Sequence, residues 1–178
     1  MHVMHRYCYH EAERNFVTWF TLLNIQALRL INYTDLGSER VKALQRRVGI
    51  SKSDAPPDFQ IRMQRKGTNE DDPLCWIDVK CPDKGVGDLY NLNRHKYETY
   101  VKVARSDRCP LYLVFYGQVR CCHSDVVEVH STDEIIGWAE LKYTDPRFSN
   151  GRIKVEKEKD TPFIWEINKL MAKTIRPS

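Results

Sequence analysis

The chain has 178 residues, 42% of them hydrophobic and 29% charged, with a formal net charge of +4. Those values are ordinary for one globular domain, residues 1–178, large enough to bury a core without staples. No run of about 18 apolar residues marks a membrane-spanning helix, and the opening MHVMHRYCYHEAER turns charged too early for a signal peptide. A soluble, cytoplasmic protein without membrane contact is therefore expected. The mild positive charge suits a polyanionic partner without requiring one.

In chain order, residues 7–26 are expected to form a helix. Tyr9, Ala12, Phe16, Trp19, Phe20, Leu23 and Ala27 recur at three- and four-residue steps as one apolar stripe. Glu13 flanks that stripe, whereas Glu11 points almost opposite. Ala27–Tyr33 reads as a strand, ended by the turn-like Thr34-Asp35-Leu36-Gly37. Ser38 is a plausible N-cap for a short basic helix, Glu39–Val48, stopped by Gly49.

The loop Ser53-Asp54-Ala55-Pro56-Pro57 delivers the chain into Asp58 and an alternating strand, Phe59–Arg65. A polar turn over Lys66–Pro73 leads to a second strand, Leu74–Lys80. Asn93–Arg105 reads as a helix and Leu111–Gly117 as a buried strand. A strand over Val126–His130, a helix over Asp133–Leu141 capped by Thr132, a late strand Arg152–Glu156 and a closing helix Phe163–Lys173 complete the expectation. This order implies an α/β fold on a mixed sheet.

One constellation carries chemistry. If the strands around Asp58 and Lys80 close as an antiparallel hairpin, their midpoint falls at residue 69, inside the expected turn. Side-chain alternation then gathers Asp58, Gln60, Arg62, Asp78 and Lys80 on one polar face, with Ile77 and Val79 on the other. Two carboxylates supply the hard oxygen donors that magnesium prefers, and such an ion acidifies a bound water. A neighbouring lysine can orient or deprotonate that water, or stabilise charge on a phosphate. The bland alternative makes Asp58 a turn residue and Asp78–Lys80 an exposed cross-strand pair worth less than about 1 kcal/mol.

Pro57-Asp58, followed by Asp78-Val79-Lys80 at the end of an apolar strand, resembles the PD-(D/E)xK nuclease superfamily. That group includes restriction enzymes, archaeal Holliday-junction resolvases and RecB-type exonucleases. The resemblance spans about residues 9–117, and the segment of about 126–175 is an extension with no motif to align. It implies a restriction-endonuclease-like α/β/α sandwich around a mixed central sheet. It also implies a metal centre of Asp58, Asp78 and a helical glutamate, Glu13, binding Mg²⁺ (or Mn²⁺), with Lys80 positioning water. Lys96-x-x-x-Tyr100 has the spacing of the family's Q-x-x-x-Y, which makes Lys96 a phosphate contact or transition-state stabiliser. Asp78 stands where glutamate is commoner, and Glu39 rivals Glu13, although a carboxylate in a first helical turn is already explained by the helix dipole. The implied substrate is DNA, cut by an endonuclease, with a homodimer if both strands of a symmetric site are cut. The alternatives are a nucleic-acid-binding module of the same fold without catalysis, and a protein-interaction domain.

Other groups are weaker. Arg40, Lys42, Arg46, Arg47 and Lys52, and again Arg94, Lys96, Lys102, Arg105 and Arg108, either track a phosphate backbone or form solvated helix faces. His95 is read as structural or solvent-facing. The six cysteines form no CxxC pair. Cys8, His10 and His123 are conceivable zinc ligands, but reduced, mostly buried thiols are the better expectation. Trp19, Phe20, Trp76, Trp138 and Trp165 fall on apolar stripes or strands and are assigned to the core.

Overall fold

The computed structural model describes residues 2–82, 88–123, 126–142, 148–149 and 151–175, and side chains within 9–82, 88–118, 131–142 and 151–175. Twelve elements are found among them: α1 (His2–Leu23), β1 (Leu28–Asn32), α2 (Glu39–Val48), β2 (Phe59–Gln64), β3 (Asp71–Lys80), β4 (Leu89–Asn93), α3 (Arg94–Asp107), β5 (Leu111–His123), β6 (Val126–Glu140), β7 (Phe148–Ser149), β8 (Arg152–Glu156) and α4 (Phe163–Ile175).

Local chemistry explains the helix ends. α1 stops before Asn24, whose φ of 50° lies in the left-handed region that breaks a helix. Ser38 caps α2 by accepting from the Val41 N–H, and Gly49, at φ 74°, closes it by donating to Gln45 O. Asn93 caps α3 through bonds from the N–H groups of His95 and Lys96. The end of α3 is Arg108, left-handed at φ 52°.

The main sheet runs β1-β2-β3-β5-β6 and is mixed: β3 and β5 are parallel and the other neighbours antiparallel. Strand parity gives it two apolar faces. On one, Ala12 and Phe16 of α1 and Phe163 and Ile167 of α4 pack with Phe59, Ile61, Cys75, Ile77, Val79, Tyr112 and Val114. On the other, α3 and Leu44 of α2 pack with Trp76, Leu111, Leu113 and Phe115. A small second sheet, β4-β8-β7, adds Leu92, Ile153 and Val155 to that second face. Helices thus cover both sides of a mixed five-stranded sheet.

Three expectations are corrected. The helix expected over Asp133–Leu141 is the end of β6, paired antiparallel with β5 from Tyr112↔Glu140 onward. Without it, β5 would present an open edge in the middle of a core. Ile135 and Ile136 are β-branched, and a mid-helix glycine at 137 would cost about 1 kcal/mol. Gly137 also has a packing reason, because a Cβ there would run into the Lys157 side chain that lies across it. Thr132 is no helix cap; its hydroxyl accepts from the Gly117 N–H and donates to Glu134 O. Second, β4 is a strand the sequence did not announce, and β3 begins at Asp71 rather than Leu74. Third, Trp165 is 59% exposed on α4 rather than in the core, whereas Trp76 and Trp138 are buried.

A polar knot ties the second face together. Asp107, at the end of α3, accepts at one carboxylate oxygen from Gln60 Nε2 (2.7 Å) and from Trp76 Nε1 (3.0 Å). Its other oxygen pairs with Arg47 of α2 at 2.9 Å. Gln60 in turn accepts from Arg62, which also pairs with Asp71. Gln60 and Trp76 are both almost fully buried. Asp107→Ala strands those two donors at about 1–3 kcal/mol each. We expect a loss of roughly 2–4 kcal/mol in urea denaturation, with Asp107→Asn losing less because it keeps an acceptor.

Candidate metal centre

Asp78 and Lys80 stand two residues apart at the end of β3, so they share a face with Trp76 and turn toward α3. Both are buried, at 1% and 5% exposure. Lys80 Nζ forms an ion pair with Asp78 Oδ2. That oxygen has no conventional hydrogen bond and is met by the ammonium alone. The other oxygen, Oδ1, accepts from the Tyr100 hydroxyl at 2.7 Å, and Lys80 Nζ lies 5.6 Å from the centre of the Tyr100 ring. The exposed cross-strand pair considered from sequence is therefore excluded.

Asp58 immediately precedes β2. The register Phe59↔Ile77, extended by one residue, sets it opposite Asp78 rather than Lys80. The hairpin is tighter than the sequence midpoint implied, with Arg65 N–H bonded to Glu70 O, and a bulge lies between Ile61 and Arg62. The displacement is two residues, so the face is unchanged. Asp58 Oδ2 accepts from the Val79 N–H at 2.8 Å, and the Asp58 carbonyl accepts from Tyr33 N–H. Both strands hold the carboxylate in place.

Glu13, on α1, faces the same end of the sheet without joining Asp58 and Asp78 in one ligand group among the described residues. Its side chain is 21% exposed and lies 3.6 Å from His10, and it senses the charges of Asp78 and Lys80. Glu39, its rival, is 80% exposed and pairs with Lys42 in the first turn of α2. Lys96 is exposed in the first turn of α3, one turn before Tyr100, and the charges that act most strongly on Asp58, Lys80 and Tyr100 come from other residues. Of the Lys96-x-x-x-Tyr100 pair, it is the tyrosine that touches a carboxylate. The spacing contained that signal, since Tyr100 sits one turn on from Lys96 on the same helix face. Gln60 and Arg62, expected on the polar face, are engaged with Asp107 and Asp71 instead.

The electrostatics follow from burial and crowding. Burial pushes the Asp58 carboxyl well above the usual carboxylate range, and the Asp78 charge adds to it. Lys80 and the Val79 N–H pull partly the other way. Burial disfavours the Lys80 ammonium, but Asp78, with Tyr100 and Asp58, outweighs it and holds the amine well above its ordinary range. Burial likewise raises Glu13, opposed by His10.

The donors suit a hard cation in kind: carboxylate oxygens from two strands, with a third carboxylate on a helix. Asp58 spends Oδ2 on a backbone N–H and leaves Oδ1 for an ion. Among the described residues no three ligating side chains yet stand close enough to grip one. A cation at Asp78 would share Oδ2 with Lys80.

Several basic side chains of α2 and α3 are otherwise engaged. Arg40 donates to Asn32 O and lies over Tyr33, Lys42 holds Glu39, Arg47 holds Asp107, and Arg94 holds Glu98. His95 pairs with Asp54 at 2.7 Å. Cys75, Cys81 and Cys109 are buried thiols outside any disulfide, and burial pushes Cys109 up to about 12. The side chains of Cys8, Cys121, Cys122 and His123 lie outside the described residues, so the zinc alternative falls there too. Among the described residues no helix is long and apolar enough to cross a membrane.

A raised Asp58 carboxyl has a definite consequence for stability. Between the unfolded value, near 4, and the raised folded one, the native state binds the extra proton. Stability contributed at this position therefore falls as pH rises above about 4. Asp58→Asn keeps an acceptor for Val79 and removes the charge. In metal-free buffer with EDTA, we expect its melting temperature to exceed that of wild type by a margin that widens from pH 4 toward neutrality. A constant or shrinking margin contradicts the assigned burial and crowding.

No family model matches the chain, and no curated protein matches it.

Proposed function

We propose that this protein is a metal-dependent nuclease that hydrolyses phosphodiester bonds in DNA, cutting internally, on a restriction-endonuclease-like α/β/α sandwich. The observation that carries the reading is the buried Asp78–Lys80 pair with Asp58 set opposite it. A purely structural sheet gains nothing from two charges at that depth, because desolvation offsets most of their attraction. Perturbed, clustered ionisable groups are what a reactive site accumulates.

Asp58 and Asp78, with Glu13, would hold Mg²⁺ or Mn²⁺. Once bound, such an ion acidifies water and neutralises charge on the phosphate. The chain's own groups do the positioning. The Val79 N–H fixes one oxygen of Asp58, and the Tyr100 hydroxyl fixes one oxygen of Asp78. Lys80 keeps a positive charge beside both, from which it donates toward an entering water or a phosphate oxygen. Lys96, exposed one turn before Tyr100, contacts a phosphate outside the buried centre.

A module that binds nucleic acid through basic helices alone would have no need of a buried carboxylate–lysine cluster. The burial of Asp78 and Lys80 weighs against an incidental D-x-K on a protein-interaction surface.

The test uses closed circles, which have no ends for an exonuclease. Supercoiled plasmid and circular single-stranded DNA are incubated with Mg²⁺ or Mn²⁺, with and without EDTA. We expect metal-dependent cutting that drops at least about 10²-fold in Asp78→Asn, Lys80→Met and Asp58→Asn. The last variant is expected to fold well, which separates lost chemistry from lost structure. Cutting that survives all three substitutions removes the assigned centre.

A further inference from the structure

A cleft of about 530 Å³ opens where the last turns of α3 and α4 meet the Pro110 end of β5. None of Asp58, Asp78 and Lys80 lines it; Lys80 pairs at Phe115, further along β5. Three cations do line it: Arg105 and Arg108 at the end of α3, and Lys173 in the last turn of α4. Positions 105 and 108 are three apart, so they fall on one side of the helix end. All three residues are exposed. The volume lies within the roughly 300–1,000 Å³ of ordinary small-molecule sites.

The charges of the cleft do not cancel within the fold. Glu166 also lines it, but accepts from the Tyr112 hydroxyl at 3.1 Å and pairs with Lys169 at 3.5 Å. That leaves Glu140 as the carboxylate facing three cations, with the partly exposed Pro110 and Leu170 as apolar neighbours. Arg108 and Lys173 form no ion pair among the described residues.

A helix C-terminus favours a nearby cation, which accounts for Arg105 and Lys173 without any ligand. Arg108 is different. It closes α3 in the left-handed region at φ 52°, where glycine fits without steric cost and a β-carbon is crowded. The corresponding residue after α2 is a glycine, Gly49 at φ 74°. An arginine at a position that suits glycine, lining a cleft without an ion-pair partner, answers to a ligand rather than to the backbone.

We propose that this cleft binds a small phosphate monoester, held by Arg108 and Lys173 with Arg105 beside them. A guanidinium presents paired N–H donors that match phosphate oxygens. Three cations against one carboxylate suit a monoester, which carries about −1.5 to −2 at neutral pH, better than a singly charged diester. Glu140 offers an acceptor to a hydroxyl elsewhere on the ligand. The site is separate from the carboxylate centre and does not depend on the nuclease reading.

Binding is measured by calorimetry in EDTA at fixed ionic strength, with ribose 5-phosphate, ribose and dimethyl phosphate as probes. Wild type is expected to bind ribose 5-phosphate saturably, at least about tenfold more tightly than either of the others. Arg108→Gly is expected to weaken that binding about tenfold or more while melting close to wild type, since glycine suits the left-handed position. Lys173→Met, exposed in a last helical turn, is expected to stay folded and to weaken binding at least about threefold. Asp58→Asn is expected to leave binding unchanged. Failure of ribose 5-phosphate to bind saturably overturns the proposal, as does binding unchanged in a folded Arg108→Gly or Lys173→Met. Dimethyl phosphate bound as tightly overturns the monoester assignment. Binding lost in Asp58→Asn places the phosphate at the carboxylate centre and removes the cleft.

Discussion

The pairing of Asp78 with Lys80 inside the sheet is the constraint around which the rest of the structure is arranged. Each charge loses its hydration at that depth, a cost of several kcal/mol per ion before any attraction offsets it. The pair is tolerable because further groups complete it. Tyr100 donates to one carboxylate oxygen and lays its ring beside the ammonium. The second carboxylate, Asp58, is steadied by the Val79 N–H between them. An aliphatic pair at the same positions would pack with less cost. The retention of charge there is the physical ground for reading a site.

The two ends of β3 divide the work. At the Trp76 end, Asp107 gathers Gln60, Trp76 and Arg47 and so locks α2, α3, β2 and β3 together. At the Lys80 end, burial and the nearby Asp78 charge raise the proton affinity of Asp58. The polar knot close by fixes α3 against β3 and so holds the geometry of the crowded end. Parity links the two ends: Trp76, Asp78 and Lys80 all face α3, so whatever fixes that helix fixes the site.

α1 plays a different part. It covers the opposite face of the sheet through Ala12 and Phe16, yet Glu13, one position off that stripe, reaches the carboxylate end. The same helix therefore packs the core and carries a third carboxylate within electrostatic range of the centre.

Much of this was legible in the sequence, and the reasons are local. The α2 boundaries followed from Ser38 and Gly49, and the shared face of Asp58, Asp78 and Lys80 followed from the two-residue period of a strand. Contacts between elements were not legible. Whether Glu13 or Glu39 approached the centre depended on which helix crossed the sheet mouth. That Tyr100, and not Lys96, would touch Asp78 depended on the rotation of α3 against β3. The segment 133–141 reads locally as a helix, but the open edge of β5 decided that it is a strand. The hairpin register was set by a bulge and a tight turn that composition does not encode. Periodicity and capping residues thus determined most of the elements and the face on which the acidic residues and Lys80 lie. Only tertiary packing decided the partners, because long-range pairing depends on edges, register and helix rotation that no short stretch of sequence carries.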